Sequence, residues 1–240
     1  MILEPRRFST NPAAGKLDVL RPGGFTLTDR VLQLCAFKAG DRVADIGCGF
    51  GATVEYLRGS HGIDAWGIDP AAASLEKALQ RNPSLPLAAG YAEELPFESG
   101  TLDGVVAECS LSVIVNKEQA LAEFCRVLRP EGKLAITDVY ARSADGLDAI
   151  RDIRFPFCMA GIMTRVSLTA MMGRQGFYPT YWEDHSPLLK DYLIQAIMGE
   201  CGSIFGGTCS GQGEHSWHES IRMLKRTSPG YFVLVASKVT

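Results

Sequence analysis

The sequence contains no run approaching the roughly 20 consecutive apolar residues needed to span a membrane. Its first residues, Met1 to Phe8, carry Glu4, Arg6 and Arg7 and no apolar stretch, so they do not read as a secretory signal. A surplus of positive charge is missing too: 24 Lys and Arg stand against 27 Asp and Glu, a net charge of −3. Nucleic-acid backbones are held by basic faces, so this balance speaks against a nucleic-acid partner. Internal repeats and low-complexity segments are absent, which excludes collagen-like, fibrous and disordered classes. The seven cysteines are odd in number and dispersed, with no C-x-x-C pair. That excludes a disulfide framework and implies no metal site; the thiols read as the reduced cysteines of a cytoplasmic protein.

What is present is an ordinary globular composition, 46% hydrophobic and 21% charged over 240 residues, enough for one large α/β domain. An irregular beginning with the turn Arg21-Pro22-Gly23-Gly24 leads to a helix predicted from about Thr26, with Leu27, Val31, Leu32 and Cys35 at helical spacing. From Arg42 onward strands and helices alternate. Arg42–Ile46, Ala65–Ile68, Leu87–Gly90, Leu102–Ala107 and Lys133–Val139 read as strands. Ala52–Leu57, Ala71–Gln80 and Glu118–Leu128 read as helices between them. This alternation predicts a parallel sheet covered on both faces.

After Tyr140 the rhythm changes. Residues 143–175 look helical, with Thr164, Ser167 or Thr169 as caps. Phe177–Glu183 and Tyr231–Lys238 read as strands forming an antiparallel edge hairpin. The long excursion between them holds a helical pattern from Leu188 to Ile197, a glycine-rich piece Gly199–Gly213 and a short helix near Trp217–Lys225. Excursions of that length are usually lids or binding loops. The expected fold is therefore a doubly wound, mostly parallel, seven-stranded α/β sheet in one domain, 1–240. Residues 1–40 would form a cap, 41–140 a cofactor-binding core, and 141–240 the helical lid insertions and edge hairpin.

The strongest chemical signal is Val43-Ala44-Asp45-Ile46-Gly47-Cys48-Gly49-Phe50-Gly51. A strand running into clustered glycines brings backbone closer to a ligand than a Cβ permits. Gly47, Gly49 and Ala52 satisfy G-x-G-x-x-G/A, and Asp69 follows about 20 residues on, as in dinucleotide sites. Asp45 decides against a dinucleotide, because a carboxylate before the glycines repels a pyrophosphate and suits a cation. S-adenosylmethionine, with its sulfonium and α-ammonium, is such a ligand.

The segments Asp-Ile-Gly-Cys-Gly-Phe-Gly, Trp-Gly-Ile-Asp, Ala-Glu-Glu-Leu-Pro-Phe, Leu-Asp-Gly-Val-Val and Arg-Val-Leu-Arg-Pro-Glu-Gly-Lys-Leu occur in this order between residues 41 and 139. They resemble the successive motifs of class I S-adenosylmethionine-dependent methyltransferases, in the small-molecule branch of the ubiquinone/menaquinone-type enzymes. Arg21 to Thr28 also resembles a Pro-Gly-Gly-x-x-Leu-Thr segment found ahead of this core in some relatives. The resemblance implies a Rossmann-like methyltransferase fold, S-adenosylmethionine as cofactor and a small-molecule acceptor. By position it implies that Gly47, Cys48 and Gly49 border the methionine part and ribose, and that Asp45 meets the α-ammonium or holds the glycine loop. Asp69 would take the ribose hydroxyls and Pro70 would pack on the adenine. Ala92 and Glu93 would edge the adenine, and Glu108 would lie beneath the methyl group, where many relatives carry Asn or Asp.

Gly51 reads equally as helix–strand packing. Asp103 reads as a solvated turn residue, and Arg129-Pro130-Glu131-Gly132 as a helix stop and turn. Among the histidines, His61 lies in a loop, and His215 and His218 flank Trp217. His185 follows Glu183 and Asp184 at a strand end, where it would serve as a general base, an anion anchor or a surface hydrogen-bonding group. Cys109, Cys201 and Cys209 frame an alternative, a thiol-assisted metalloid methyltransferase; a further one is a cofactor-binding sensor that transfers nothing.

Overall fold

The computed structural model describes residues 19, 21–145, 147, 161–197 and 226–239. The first helix, α1 (Gly24–Cys35), turns Leu27, Val31, Leu32 and Cys35 to the interior. The core then alternates as β1 (Arg42–Ile46), α2 (Ala52–His61), β2 (Asp64–Asp69), α3 (Ala72–Arg81), β3 (Leu87–Ala89), β4 (Leu102–Glu108), α4 (Lys117–Val127) and β5 (Leu128–Ala141). A single 3₁₀ turn, Leu111–Val113, sits between β4 and α4. The remaining elements are α5 (Arg165–Arg174), β6 (Phe177–Asp184), α6 (Ser186–Ile197) and β7 (Pro229–Lys238).

The seven strands form one sheet in the order β3-β2-β1-β4-β5-β7-β6, with β7 antiparallel to both neighbours and the rest parallel. Alternate residues of each strand enter two separate cores, as the pleat requires. Val43, Val106, Ala135, Val139, Tyr231 and Val233 pack with α1, α2, α3 and α6. Ala44, Val105, Ala107, Ile136, Phe232 and Leu234 pack with α4 and α5. Chain order reverses between β1 and β4, so a crevice opens above their carboxyl ends, the place where open α/β sheets bind ligands.

Two local expectations change. The fifth strand begins at Leu128, directly after α4, because Leu128 pairs with Leu102 before the chain bulges through Arg129–Gly132 and resumes at Lys133 opposite Gly104. Glu131 takes a left-handed φ of 63° in that bulge. Asp103 is not a solvated turn residue: its carboxylate accepts the Arg42 N–H at 2.7 Å and pairs with Arg129 at 2.6 Å, fastening the bulge to β1. The predicted antiparallel edge hairpin is present: β6 and β7 pair at one end of the sheet, β6 outermost and β7 next to β5. Tyr231 to Ala236 are all buried, an uninterrupted run that a strand covered on both faces demands.

Thr164 is the cap of α5, its Oγ1 accepting the Ser167 N–H at 3.1 Å. The helical expectation across 148–160, the glycine-rich piece Gly199–Gly213, the helix near Trp217–Lys225, and Cys201, Cys209, His215 and His218 lie outside the described residues.

Candidate active site

β1 ends in the buried Ile46, and the chain turns back under β2: the N–H groups of Gly47 and Cys48 both donate to the Ile68 carbonyl, at 2.8 and 3.2 Å. Gly47 and Gly49 hold φ values of 79° and 52°, where a Cβ is disfavoured. Their surroundings differ. A Cβ on Gly47 would overlap Cβ of Ser110, whose hydroxyl donates to the Ile46 carbonyl at 2.6 Å, so this glycine is required by the protein itself. A Cβ on Gly49 would meet no atom within 4 Å, so its left-handed turn faces open space. Gly51 caps α2 and fits against Leu85 and Leu87, the packing role anticipated for it. Cys48 corrects its expected place at the site: the thiol packs over Gly67 and joins the core.

Asp69, at the end of β2, is almost fully buried. One carboxylate oxygen accepts the Gly49 N–H and the other the Ala71 N–H, both at 2.8 Å. It holds the glycine loop and the start of α3, with an acceptor position left on each oxygen. Asp45, one strand over, is buried as well and has no hydrogen-bond partner among the described residues. Burial, the negative charge of Glu108 and that of Asp69 push its carboxyl up to about 8, against the opposing pull of Arg21.

Glu108 departs from the expectation of a group beneath a methyl donor, because its carboxylate is already occupied. It pairs with Arg21 Nη2 at 2.8 Å and accepts from the hydroxyls of Thr28 and Thr53, each at 3.0 Å. The end of β4 is thus tied to both α1 and α2. Thr28 Oγ1 accepts a hydrogen bond from Arg21 Nη2 at 2.7 Å and donates one to Glu108, so its hydroxyl serves as both acceptor and donor. Arg21 is nine-tenths buried, at 10% side-chain exposure, and its Nε–H has no partner.

On the far rim Ala92 is buried, whereas Pro70 and Tyr91 are exposed. Glu93 accepts the Asn116 N–H at 3.0 Å through one oxygen, joining this rim to the loop after β4. At the tip of β4, Cys109 adopts φ 54° and its Sγ lies 2.9 Å from the Tyr231 hydroxyl. That hydroxyl is 3.3 Å from Thr137 Oγ1, and burial raises the phenol well above its usual pKa.

His185 goes elsewhere. Its Nε2 lies 3.4 Å from Glu183, which also accepts Arg30 Nε at 3.0 Å and the Tyr181 hydroxyl at 3.1 Å. The imidazole lines a groove with Thr26, Asp29, Arg30 and His61, a groove that none of the glycine-loop residues borders. Asp184 does not join it, since neighbouring strand residues point to opposite faces. Asp184 takes the Tyr140 hydroxyl, Arg142 and the Ser186 N–H instead.

A family model described as "Methyltransferase domain" matches residues 44–136, spanning the glycine loop, Asp69, Glu93 and Glu108. The chain belongs to the class I S-adenosylmethionine-dependent methyltransferases, and its cofactor is S-adenosylmethionine. It is similar to 27-O-demethylrifamycin SV methyltransferase of Amycolatopsis mediterranei, with 31% identity over 180 residues, 71% of this chain and 66% of that one. It is similar also to methyltransferase GfsG of Streptomyces halstedii, with 30% identity over 139 residues, 55% of this chain and 49% of the other. The chain thus spans about half to two thirds of the length of these curated relatives. Among solved structures, the cyclase SpnF superposes with a TM-score of 0.66 at 24% identity, over 90% of this chain and 80% of that one. A cyclase on this scaffold illustrates that the fold alone does not name a reaction.

Sequence reasoning missed Arg21, Thr28, Thr53 and Tyr231 as parts of this region. Arg21 and Thr28 stand inside the Pro-Gly-Gly segment already singled out by its pattern. Thr53 follows the glycines by two residues. Tyr231 carried no signal, because only sheet order brings β7 beside β5 and its hydroxyl to Cys109.

Proposed function

We propose that this chain transfers a methyl group from S-adenosylmethionine to a small-molecule acceptor. One observation carries the reading: three buried carboxylates, Asp45, Asp69 and Glu108, close the ends of β1, β2 and β4, and Arg21 is the cation among them. Such a site favours a cationic ligand and opposes a pyrophosphate.

The residues fit the cofactor. Gly49 leaves room at the loop, and Asp69 offers its two remaining acceptor positions to the ribose hydroxyls. Asp45 supplies the acceptor for the α-ammonium, whose charge would offset the repulsion from Glu108 and Asp69. Pro70, Ala92 and the free oxygen of Glu93 border the adenine. Gly47 and Cys48 shape the loop through backbone alone, and Glu108 acts by holding Arg21 and Thr53.

The sulfonium of the cofactor supplies an already activated methyl. The protein aligns the acceptor and excludes water. Cys109, at the tip of β4, stands where the acceptor would approach; the fully buried Tyr231 of β7, its phenol kept protonated by burial, holds that thiol in place and is no base near neutrality. The position of His185 on the α1 groove supports a part in fastening β6 to α1 rather than proton transfer.

The thiol-assisted alternative gains nothing from Cys109, which is engaged with Tyr231. Cys35, Cys48 and Cys125, outside any disulfide, suit a reducing, cytoplasmic setting. No described helix is long and apolar enough to cross a membrane. Calorimetry with S-adenosylhomocysteine and NAD tests the cofactor reading: tight binding of the first and none of the second is expected, and the reverse overturns it. A metabolite screen with methyl-labelled S-adenosylmethionine then identifies the acceptor, and a saturated, inert protein would favour the sensor alternative.

A further inference from the structure

Asp138 is a buried carboxylate that the transfer described above does not use. It lies on β5 with 1% exposure. One of its oxygens accepts the Ser112 N–H at 2.8 Å; the other accepts the Ser112 hydroxyl at 2.8 Å and the Val139 N–H at 2.7 Å. Both donors of Ser112 therefore go to one carboxylate. Ser112 is the middle of the 3₁₀ turn Leu111–Val113, which is held locally by the N–H groups of Val113 and Ile114 on the carbonyls of Ser110 and Leu111. A single 3₁₀ turn is weak by itself, so Asp138 supplies its fixed point.

That turn is the centre of a loop, residues 109–116, with an end on each side of the site. At its start the Cys109 N–H donates to the Thr137 carbonyl of β5 at 2.7 Å, and at its finish the Asn116 N–H donates to Glu93 at the adenine rim. Lys117 Nζ donates to the Ile114 carbonyl at 2.8 Å. The chain entering α5 presses on the same turn, because a Cβ on Gly161 would overlap the Ser112 carbonyl oxygen and Lys117 Nζ. A charge buried here costs free energy that an apolar side chain would not, so what it supplies is position.

We infer that Asp138 is a positioning residue for methyl transfer, fixing through Ser112 the loop that joins the acceptor side of the site to the adenine rim. This rests on the methyl-donor reading above. The loop depends on the ionised carboxylate, since protonation removes the charge that assists all three bonds. Burial pushes this carboxyl up to about 6, against the Ser112 and Val139 donors and Lys117 of α4. Asp138 in turn adds to the upward push on the Tyr231 phenol from β7. The loop therefore loosens as pH falls through that value, while the central strands do not.

Hydrogen exchange on the full chain saturated with S-adenosylhomocysteine, at about pH 7.5 and about pH 5 and corrected for intrinsic rates, reads the loop directly. The wild-type amides of residues 112–114 are expected to lose about tenfold protection or more at the lower pH, relative to β1 and β2, the scale of one charge-assisted hydrogen bond. Asp138→Asn should show that loss already at the higher pH, with no further step. Its S-adenosylhomocysteine affinity should stay within about twofold, while label transfer from methyl-labelled S-adenosylmethionine to the metabolites of the screen above falls about tenfold or more. Ser112→Ala removes one of the two Ser112 donors, so it should lie between these limits and serves should the Asn variant not fold. Wild-type protection and transfer in the variants, a wild-type loop indifferent to pH, or a loss of cofactor affinity as large as the loss of transfer would overturn the assignment and leave the methyl-donor reading standing. A wild type that binds no S-adenosylhomocysteine, or labels nothing, would overturn that reading and the inference with it.

Discussion

The two halves of the sheet treat their polar groups differently. Around β5, β7 and β6 the carboxylates are completed by the protein. Asp138 accepts from the Ser112 N–H, the Ser112 hydroxyl and the Val139 N–H. Asp184 takes Tyr140, Arg142 and the Ser186 N–H, and Glu183 takes Arg30 and Tyr181. Around β1, β2 and β4 the account stays open: Asp45 has no partner among the described residues, Asp69 has two backbone donors and spare acceptor positions, and Arg21 keeps an unpaired Nε–H. Glu108 is the exception, saturated because it anchors α1 and α2. His185 Nε2, after β6, is also without a hydrogen bond, so the contrast is one of carboxylates: a buried carboxylate without donors costs free energy unless a ligand completes it.

The contrast is broken most sharply at the glycines. Gly49→Val should reduce S-adenosylhomocysteine affinity by more than about 100-fold, since its side chain would enter the open space; the left-handed backbone adds a folding cost of roughly 1–2 kcal/mol. Gly47→Ala should act on folding instead, losing about 3 kcal/mol through collision with Ser110 and backbone strain. Calorimetry and chemical denaturation on both variants separate the two roles, and an unchanged affinity in folded Gly49→Val would refute the open-space assignment.

Next in size is Asp69→Ala. Losing charge-assisted hydrogen bonds should weaken cofactor binding by about tenfold or more, and the released Gly49 N–H should loosen the loop. Wild-type affinity in the folded variant would remove Asp69 from the site.

The open side should also announce itself by its pH response. The Asp45 carboxyl rises from 3.8 unfolded to about 8 folded, and that of Asp138 to about 6. Between these limits the folded chain retains protons that the unfolded chain has released, so the ligand-free protein loses stability as pH rises. Asp45→Asn should remove the part of the decline between about pH 6 and 8, as followed by thermal melting. In the same window S-adenosylhomocysteine affinity should rise with pH, by at most about tenfold per unit, and the rise should vanish in the variant. A flat wild-type profile would separate Asp45 from ligand charge.

The smallest effect belongs to the completed side. His185→Ala should leave cofactor affinity within about twofold and lower stability by no more than about 1 kcal/mol, because its pairing with Glu183 is partly exposed. Once an acceptor is known, a turnover loss near 100-fold would restore His185 as a base.

Strand–helix alternation from Arg42 to Val139 was readable because hydrophobic periodicity and glycine punctuation are local. Arg42–Ile46 appears with the predicted bounds, and the others fall within a few residues except at β5, whose pairing of Leu128 with Leu102 is not a local property. The burial of Tyr231–Ala236 was written in its apolar run, yet its place between β5 and β6 was not, since an antiparallel strand has two possible sides to join. In the site, chemical type was legible at Asp45, Gly49, Asp69 and Glu93. Direction was not: Cys48 faces the core, Glu108 is spent on Arg21, Thr28 and Thr53, and His185 turns to Glu183.

The sequence by itself determined the class of the chain, because a strand, clustered glycines and a carboxylate ending the next strand fix a ligand-binding crevice through local geometry and charge. Only the tertiary structure decided which polar groups remain unpaired. Hydrogen-bond saturation depends on partners remote in the chain, Glu108 with Thr28 at a separation of 80 residues and Tyr231 with Cys109 at 122, and no local pattern encodes whether such a partner arrives.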